Sequence, residues 1–152
     1  AEEKRGPSTP EEREHALGLV DLLEATPDAP EAKEARSWLV IWLSSVPDLK
    51  VNFCLDPLGS AQELEAVPPD LKVQAAFSQA AYQIRHPEAD PASPEVFVAG
   101  VEGVLRAYRA LREQGKSPIL APYEALARDQ AAGRLPRTVE SRLGACFPTT
   151  GN

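Results

Sequence analysis

Fifteen of the 152 residues are proline, about twice the usual share of roughly 5%. A proline content this high either prevents regular structure or punctuates it. The ring removes an amide donor and costs about 3 kcal/mol inside a helix. Here the positions decide. Thr9-Pro10-Glu11-Glu12 supplies a capping residue, a proline at the first helical position, and a glutamate three residues after the cap. Asp28-Ala29-Pro30-Glu31 offers the same logic displaced by one residue, and Ser93-Pro94 and Ser117-Pro118 repeat the cap-then-proline pattern. Pro27, Pro47, Pro87 and Pro136 stand where a helix should stop, because the residue before proline resists the helical conformation.

Reading between these boundaries predicts an all-α fold, a compact bundle of about five main helices plus short helical turns. The helices are expected near 10–26, 30–46, 70–85, 94–114 and from 118 or 122 to 132. A short helix near 61–66 opens with the capping box Ser60-Ala61-Gln62-Glu63, and a last turn or two covers 137–143. Gly115 and Gly133 take the position after a helix end. Residues 1–9 and 149–152 read as tails around a single domain at 10–148. One stretch, Leu49-Lys50-Val51-Asn52-Phe53, alternates apolar and polar like a strand. It has no second strand to pair with, so it is expected to be an extended linker carrying Cys54.

The apolar faces rank the helices. Trp38-Leu39-Val40-Ile41-Trp42-Leu43 is apolar all round, which predicts that the second helix is central and that Trp38 and Trp42 are buried on one side of it. In the fourth helix Phe97, Val101, Val104, Leu105, Tyr108 and Leu111 form one stripe, flanked by Gly100 and Gly103, which would let a neighbour approach closely. The third helix has a main face of Val73, Phe77, Ala80, Ala81 and Ile84. Its opposite side carries Leu71, Ala75 and Tyr82. A helix with two apolar sides is either sandwiched or leaves one side for a ligand.

Compartment is read from the start of the chain and the cysteines. Ala1-Glu2-Glu3-Lys4-Arg5 begins without Met and suits a mature exported protein after removal of a signal peptide, although a cut of another origin gives the same start. Cys54 and Cys146 are isolated from each other in sequence and form neither a redox pair nor a zinc spacing. One disulfide between them is expected, and with it a periplasmic or secreted location. No N-x-[ST] glycosylation site is present.

The chemistry is sparse. No H-E-x-x-H, G-x-S-x-G, P-loop, G-x-G-x-x-G or EF-hand pattern occurs, and no cofactor, metal ligand set or catalytic residue is assigned. His15 lies at the edge of the first helix's apolar face, and His86 ends the third helix, where an imidazolium suits the helix dipole. No apolar run approaches the length of a membrane span. A net charge of −7 argues against nucleic acid, whose phosphates call for basic side chains.

That charge is uneven. Residues 1–70 hold 15 acids and 6 bases, whereas residues 71–152 hold 8 acids and 10 bases. Arg106, Arg109, Arg112 and Lys116 fall on neighbouring turns of the fourth helix and are the candidate contact for an acidic protein or other anionic macromolecule. The competing reading is a solvated face neutralised by Glu102 and Glu113 at i,i+4 spacing, or by the acidic first helix. Tyr108, Leu111 and Pro136 can be set on the tetratricopeptide pattern. Arg112 and Gly115 then depart from it, and a single copy can be drawn, so the chain is not placed in that family. The expected function is that of a small exported helical module that binds another macromolecule. The alternative is a small helical enzyme using a Cys or His residue.

Overall fold

In the computed structural model, which describes residues 5–147, the chain forms α1 (Pro10–Ala25), α2 (Ala32–Ser45), α3 (Pro69–Arg85), α4 (Pro94–Glu113), α5 (Ala121–Ala131) and α6 (Leu135–Arg142). Short 3-10 turns occupy Glu63–Ala66 and Leu143–Ala145, and no strand occurs among the described residues. The fold is all-α. Pro10, Pro69 and Pro94 open helices, while Pro27, Pro47 and Pro87 follow helix ends. Three prolines act otherwise than expected, among them Pro30, which lies in the turn before α2 rather than in its first turn. Pro136 lies in the first turn of α6 and starts it, because its missing amide is one that a first turn leaves unpaired anyway. Pro118 precedes α5, which begins at Ala121 after Leu120.

The capping boxes at Thr9 and Ser60 are built as the sequence implies, whereas Ser93 makes no side-chain bond to the start of α4, and α2 and α5 begin without a side-chain cap. Glu12 N–H donates to Thr9 Oγ1 at 3.2 Å, and Thr9 N–H donates to Glu12 Oε1 at 2.8 Å. Gly115 and Gly133 adopt φ of 69° and 74°. In that left-handed turn Lys116 N–H reaches Leu111 C=O and Arg134 N–H reaches Asp129 C=O, which pairs carbonyls that the helix ends would orphan. Of the stretch 1–9 expected as a tail, residues 5–9 are described, and they are tethered. Ser8 donates its N–H and hydroxyl to Asp48 at 2.9 and 2.7 Å, and Arg5 grips the Glu12 carboxylate at 2.7 and 3.0 Å. Residues 1–4 and the expected tail 149–152 lie outside the described residues.

Packing divides into two apolar clusters that share α3. One joins Ala16, Val20 and Leu23 of α1 to Leu39 and Trp42 of α2 and to Phe77, Ala80 and Ala81 of α3. The other joins Leu71 and Ala75 of α3 to the α4 stripe, to Tyr123 and Leu126 of α5 and to Leu135 and Val139 of α6. The two apolar sides of α3 are therefore both covered, and α3 is the central helix. This corrects the expected central place of α2. Ile41 is 70% exposed and Val40 43%, because α2 packs along one side, on α1, and nothing among the described residues covers the other. Trp42 is buried, while Trp38, stacked on it at 5.2 Å, is half-buried.

The α3–α4 crossing depends on Gly100 and Gly103. A Cβ at Gly103 would lie 1.8 Å from Ser78 Oγ, and one at Gly100 would lie 2.8 Å from the Ala75 carbonyl oxygen. Cys54 and Cys146 are disulfide-bonded with Cα atoms 5.5 Å apart and a sequence separation of 92. Closing a loop of that length constrains the unfolded chain by about 4–5 kcal/mol on chain-entropy grounds.

Two consequences are measurable by thermal and denaturant melts. Gly103→Ala should cost about 1–3 kcal/mol through overpacking. Gly18→Ala, in the middle of α1 with nothing within 4 Å of its added methyl, should stabilise by roughly 0.5–1 kcal/mol. The second concerns acid. The Arg5 guanidinium, then the Thr9 backbone, hold Glu12 down from an ordinary 4.5 to about 2. Because folding lowers this pKa, the carboxylate's contribution is complete above pH 4.5 and is lost as pH falls toward 2. Glu12→Gln should flatten that part of the melting temperature against pH.

Candidate functional site

The strand-like run at 49–53 is where the fold departs from helix packing in an informative way. Gln79 and Gln83 sit four residues apart on α3, a rise of about 6 Å. That nearly matches the roughly 6.6 Å between alternate residues of an extended chain. Gln83 Oε1 accepts from Lys50 N–H at 3.2 Å while its Nε2 donates to Lys50 C=O at 2.6 Å. Gln79 repeats the arrangement on Asn52, at 3.0 and 3.1 Å. Each side-chain amide thus stands where the peptide group of a neighbouring strand would stand. The segment runs antiparallel to α3 and needs no second strand on that side.

The far side is different. Among the described residues no hydrogen bond reaches the N–H or C=O of Val51 or Phe53. Cys54 N–H is held by Asn52 Oδ1 at 2.7 Å, and its sulfur by Cys146, so the segment is pinned beyond this edge as well.

The surface around the segment is apolar. Phe53 is 61% exposed, and with Val40 and Ile41 it accounts for three of the five large hydrophobic side chains exposed among the described residues. The depressions that Phe53 and the Val40–Ile41 pair border share Val73, which sets the three on one side of the molecule. A depression of about 230 Å³ lies between Phe53 and the start of α3, bordered by Pro69, Lys72 and Val73. A second, of about 270 Å³, lies between Phe53 and the end of α2, bordered by Leu43, Lys50 and Val51. A third joins Ile41 to the same Val73.

The basic face expected on α4 is largely engaged within the chain. Arg106 Nε donates to Glu24 Oε1 at 2.8 Å, and Glu24 in turn accepts from the Ser78 hydroxyl at 2.6 Å. This is a link from α4 to α1 and α3, and Glu102, expected as the i,i+4 partner, forms no ion pair with it. Lys116 pairs with Asp28 in the α1–α2 connection. Arg112 donates to the Ser117 carbonyl at 2.7 Å. Arg109 is exposed and forms no ion pair among the described residues, so the expected i,i+4 pair with Glu113 is not made either. Arg109 is the one member of the four whose side chain makes neither an ion pair nor a hydrogen bond among the described residues, while Arg112 is held only by a neutral carbonyl.

The residues named for an enzyme are placed as follows. Both cysteines are in the disulfide, so neither is available as a thiolate. The His15 ring stands edge-on to Trp38 at 4.6 Å. His86 stacks on Tyr82 at 4.1 Å, and its Nδ1 donates to the Tyr82 carbonyl at 3.0 Å. Among the described residues no group of three or more His, Cys, Asp or Glu is placed to hold a metal, and no helix is long and apolar enough to cross a membrane.

Reading the apolar faces of α3 passed over Gln79 and Gln83. The available signal was their i,i+4 spacing on a helix otherwise flanked by apolar sides, together with a strand-like run that lacked a partner.

Truncating the α4 cations should separate their roles. Arg106→Ala leaves the nearly buried Glu24 without its cation and should cost about 1–2 kcal/mol, moderated by solvent screening. Arg109→Ala should change stability by less than about 0.5 kcal/mol. Urea titrations of the two variants measure both.

Neither protein-family models nor curated proteins nor solved structures give a match to this chain.

Proposed function

We propose that the chain is an exported, disulfide-tied helical module that acts by binding another macromolecule, with no catalysis of its own. The observation that carries the reading is the apolar surface of Phe53, Ile41 and Val40, left uncovered on a domain whose two cores are otherwise closed. Exposed apolar area of this kind costs solubility unless something covers it in use. The Cys54–Cys146 bond favours an oxidising compartment, periplasmic or extracellular. The proposed partner is an acidic protein or other anionic macromolecule. Lys50 and Lys72 stand at the borders of the apolar depressions, and Arg109 presents its charge on α4. The proposed contact shifts from the four-residue α4 face to the Phe53 surface, with Arg109 as a second point of attachment.

Photo-crosslinking in the native host tests this. A benzophenone side chain placed singly at Phe53, Ile41, Arg109 or the remote Glu11 should give discrete adducts from the first two positions and none from Glu11. Adducts from Arg109 alone would return the contact to α4. Absence of adducts at all four positions would sink the binding role.

A further inference from the structure

We infer that residues 49–53 are a receiving edge for an extended segment of a partner protein, apolar at alternate positions and acidic between them, which pairs with Val51 and Phe53 as an added strand. This rests on the proposed binding role and specifies its chemistry. The first ground is the asymmetry of the two edges. Gln83 and Gln79 satisfy Lys50 and Asn52 in the manner of a strand. In an extended chain the peptide groups of alternate residues face opposite sides, and those of Val51 and Phe53 have no partner among the described residues. Two donors and two acceptors at alternate residues are matched in full by another extended backbone.

The second ground is order. The Gln amides fix residues 50 and 52, and the disulfide fixes Cys54. The edge is therefore formed before binding and loses little freedom on pairing. The third is what lies beside it. An added strand projects alternate side chains to opposite faces, and the depressions of about 230 and 270 Å³ adjoin Phe53 on its two sides.

Charge selects the occupant. Lys72 borders one depression and Lys50 the other, and no carboxylate borders either. In a chain of net charge −7, with all of the acidic excess in residues 1–70, this is a local exception. It favours an acidic strand and disfavours a second copy of the same acidic chain.

The test uses the whole oxidised protein and a capped heptapeptide alternating valine and glutamate. Amide exchange at Val51 and Phe53 should slow by roughly tenfold or more with peptide. The same peptide N-methylated at alternate residues should lose this effect in one of the two registers, and the version with lysine for glutamate should bind more weakly. On the protein side, Phe53→Pro removes the edge donor and should abolish protection at Val51, while Phe53→Ala, which keeps the donor, should retain part of it. Three results overturn the inference: no protection at saturating peptide, equal binding by both N-methylated versions, or protection of the two amides by concentration-dependent self-association without peptide. The crosslinking described above is independent of these outcomes. Adducts at Phe53 or Ile41 with no edge protection would leave the binding role standing and remove the strand pairing.

Discussion

The close approach of α3 and α4 is the constraint on which the rest of the molecule depends. Gly103 faces Ser78 and Gly100 faces the Ala75 carbonyl at distances that no side chain could share. With the small residues Ala75 and Ser78 opposite the glycines, the two helices draw together closely enough to bury a row of polar side chains on α3. Burial of that kind is tolerable only if every polar group is paired, since an unpaired amide or hydroxyl costs on the order of 1–3 kcal/mol. Gln74 donates to Ser78, Ser78 donates to Glu24, and Glu24 accepts from Arg106. A single chain of contacts thereby joins α3, α1 and α4 and takes the cation that an acidic partner could otherwise have met.

The same helix explains how the cluster with α1 and α2 is closed. Phe77, Ala80 and Ala81 meet α1 and α2, while Gln79 and Gln83 turn toward residues 50 and 52. Side chains along α3 thus alternate between an apolar duty and a polar one within each turn. This is why little of α3 is left open beyond its first turns, where Pro69, Lys72 and Val73 border a depression, and why α2, which packs on one side only, is left with Val40 and Ile41 in solvent.

Much of the helix plan was legible because proline and glycine act locally. Thr9-Pro10 and Gly115 fix a helix start and a helix end within a residue or two, whatever the remainder of the chain does. The Cys54–Cys146 pairing was legible because two cysteines allow one intrachain bond. The order of burial was harder to read. The run from Trp38 to Leu43 is more apolar than anything in α3, yet α3 is the central helix, because alanines and glutamines admit neighbours on several sides and tryptophans do not. The α4 charges were misplaced for a related reason. Spacing along one helix shows which side chains share a face, as Arg106 and Glu102 do, but Arg106 is claimed by Glu24, 82 residues away. The candidate edge was half visible. The alternation at 49–53 indicated an extended chain, while its pairing with two glutamines is a tertiary fact.

A helix can imitate a strand over a short distance only, and that limits what the proposed edge can supply. Four residues of α-helix turn through about 400°, so each further glutamine along the same row is rotated some 40° away from the segment. The row also ends on both sides, at Ala75 below Gln79 and at Pro87 above Gln83. The ordered edge therefore offers two residues, Val51 and Phe53, and at most four backbone hydrogen bonds. At about 0.5–1.5 kcal/mol net for each bond, these contribute no more than roughly 2–6 kcal/mol, against an association cost of about 4–15 kcal/mol. Backbone pairing can set the register and direction of an incoming strand but cannot hold it alone. The balance falls to the apolar contacts of the two depressions beside Phe53, with Val73 in one and Leu43 in the other. The affinity of such a contact should thus follow which side chains a partner places in those two depressions, with the edge deciding only how it must lie.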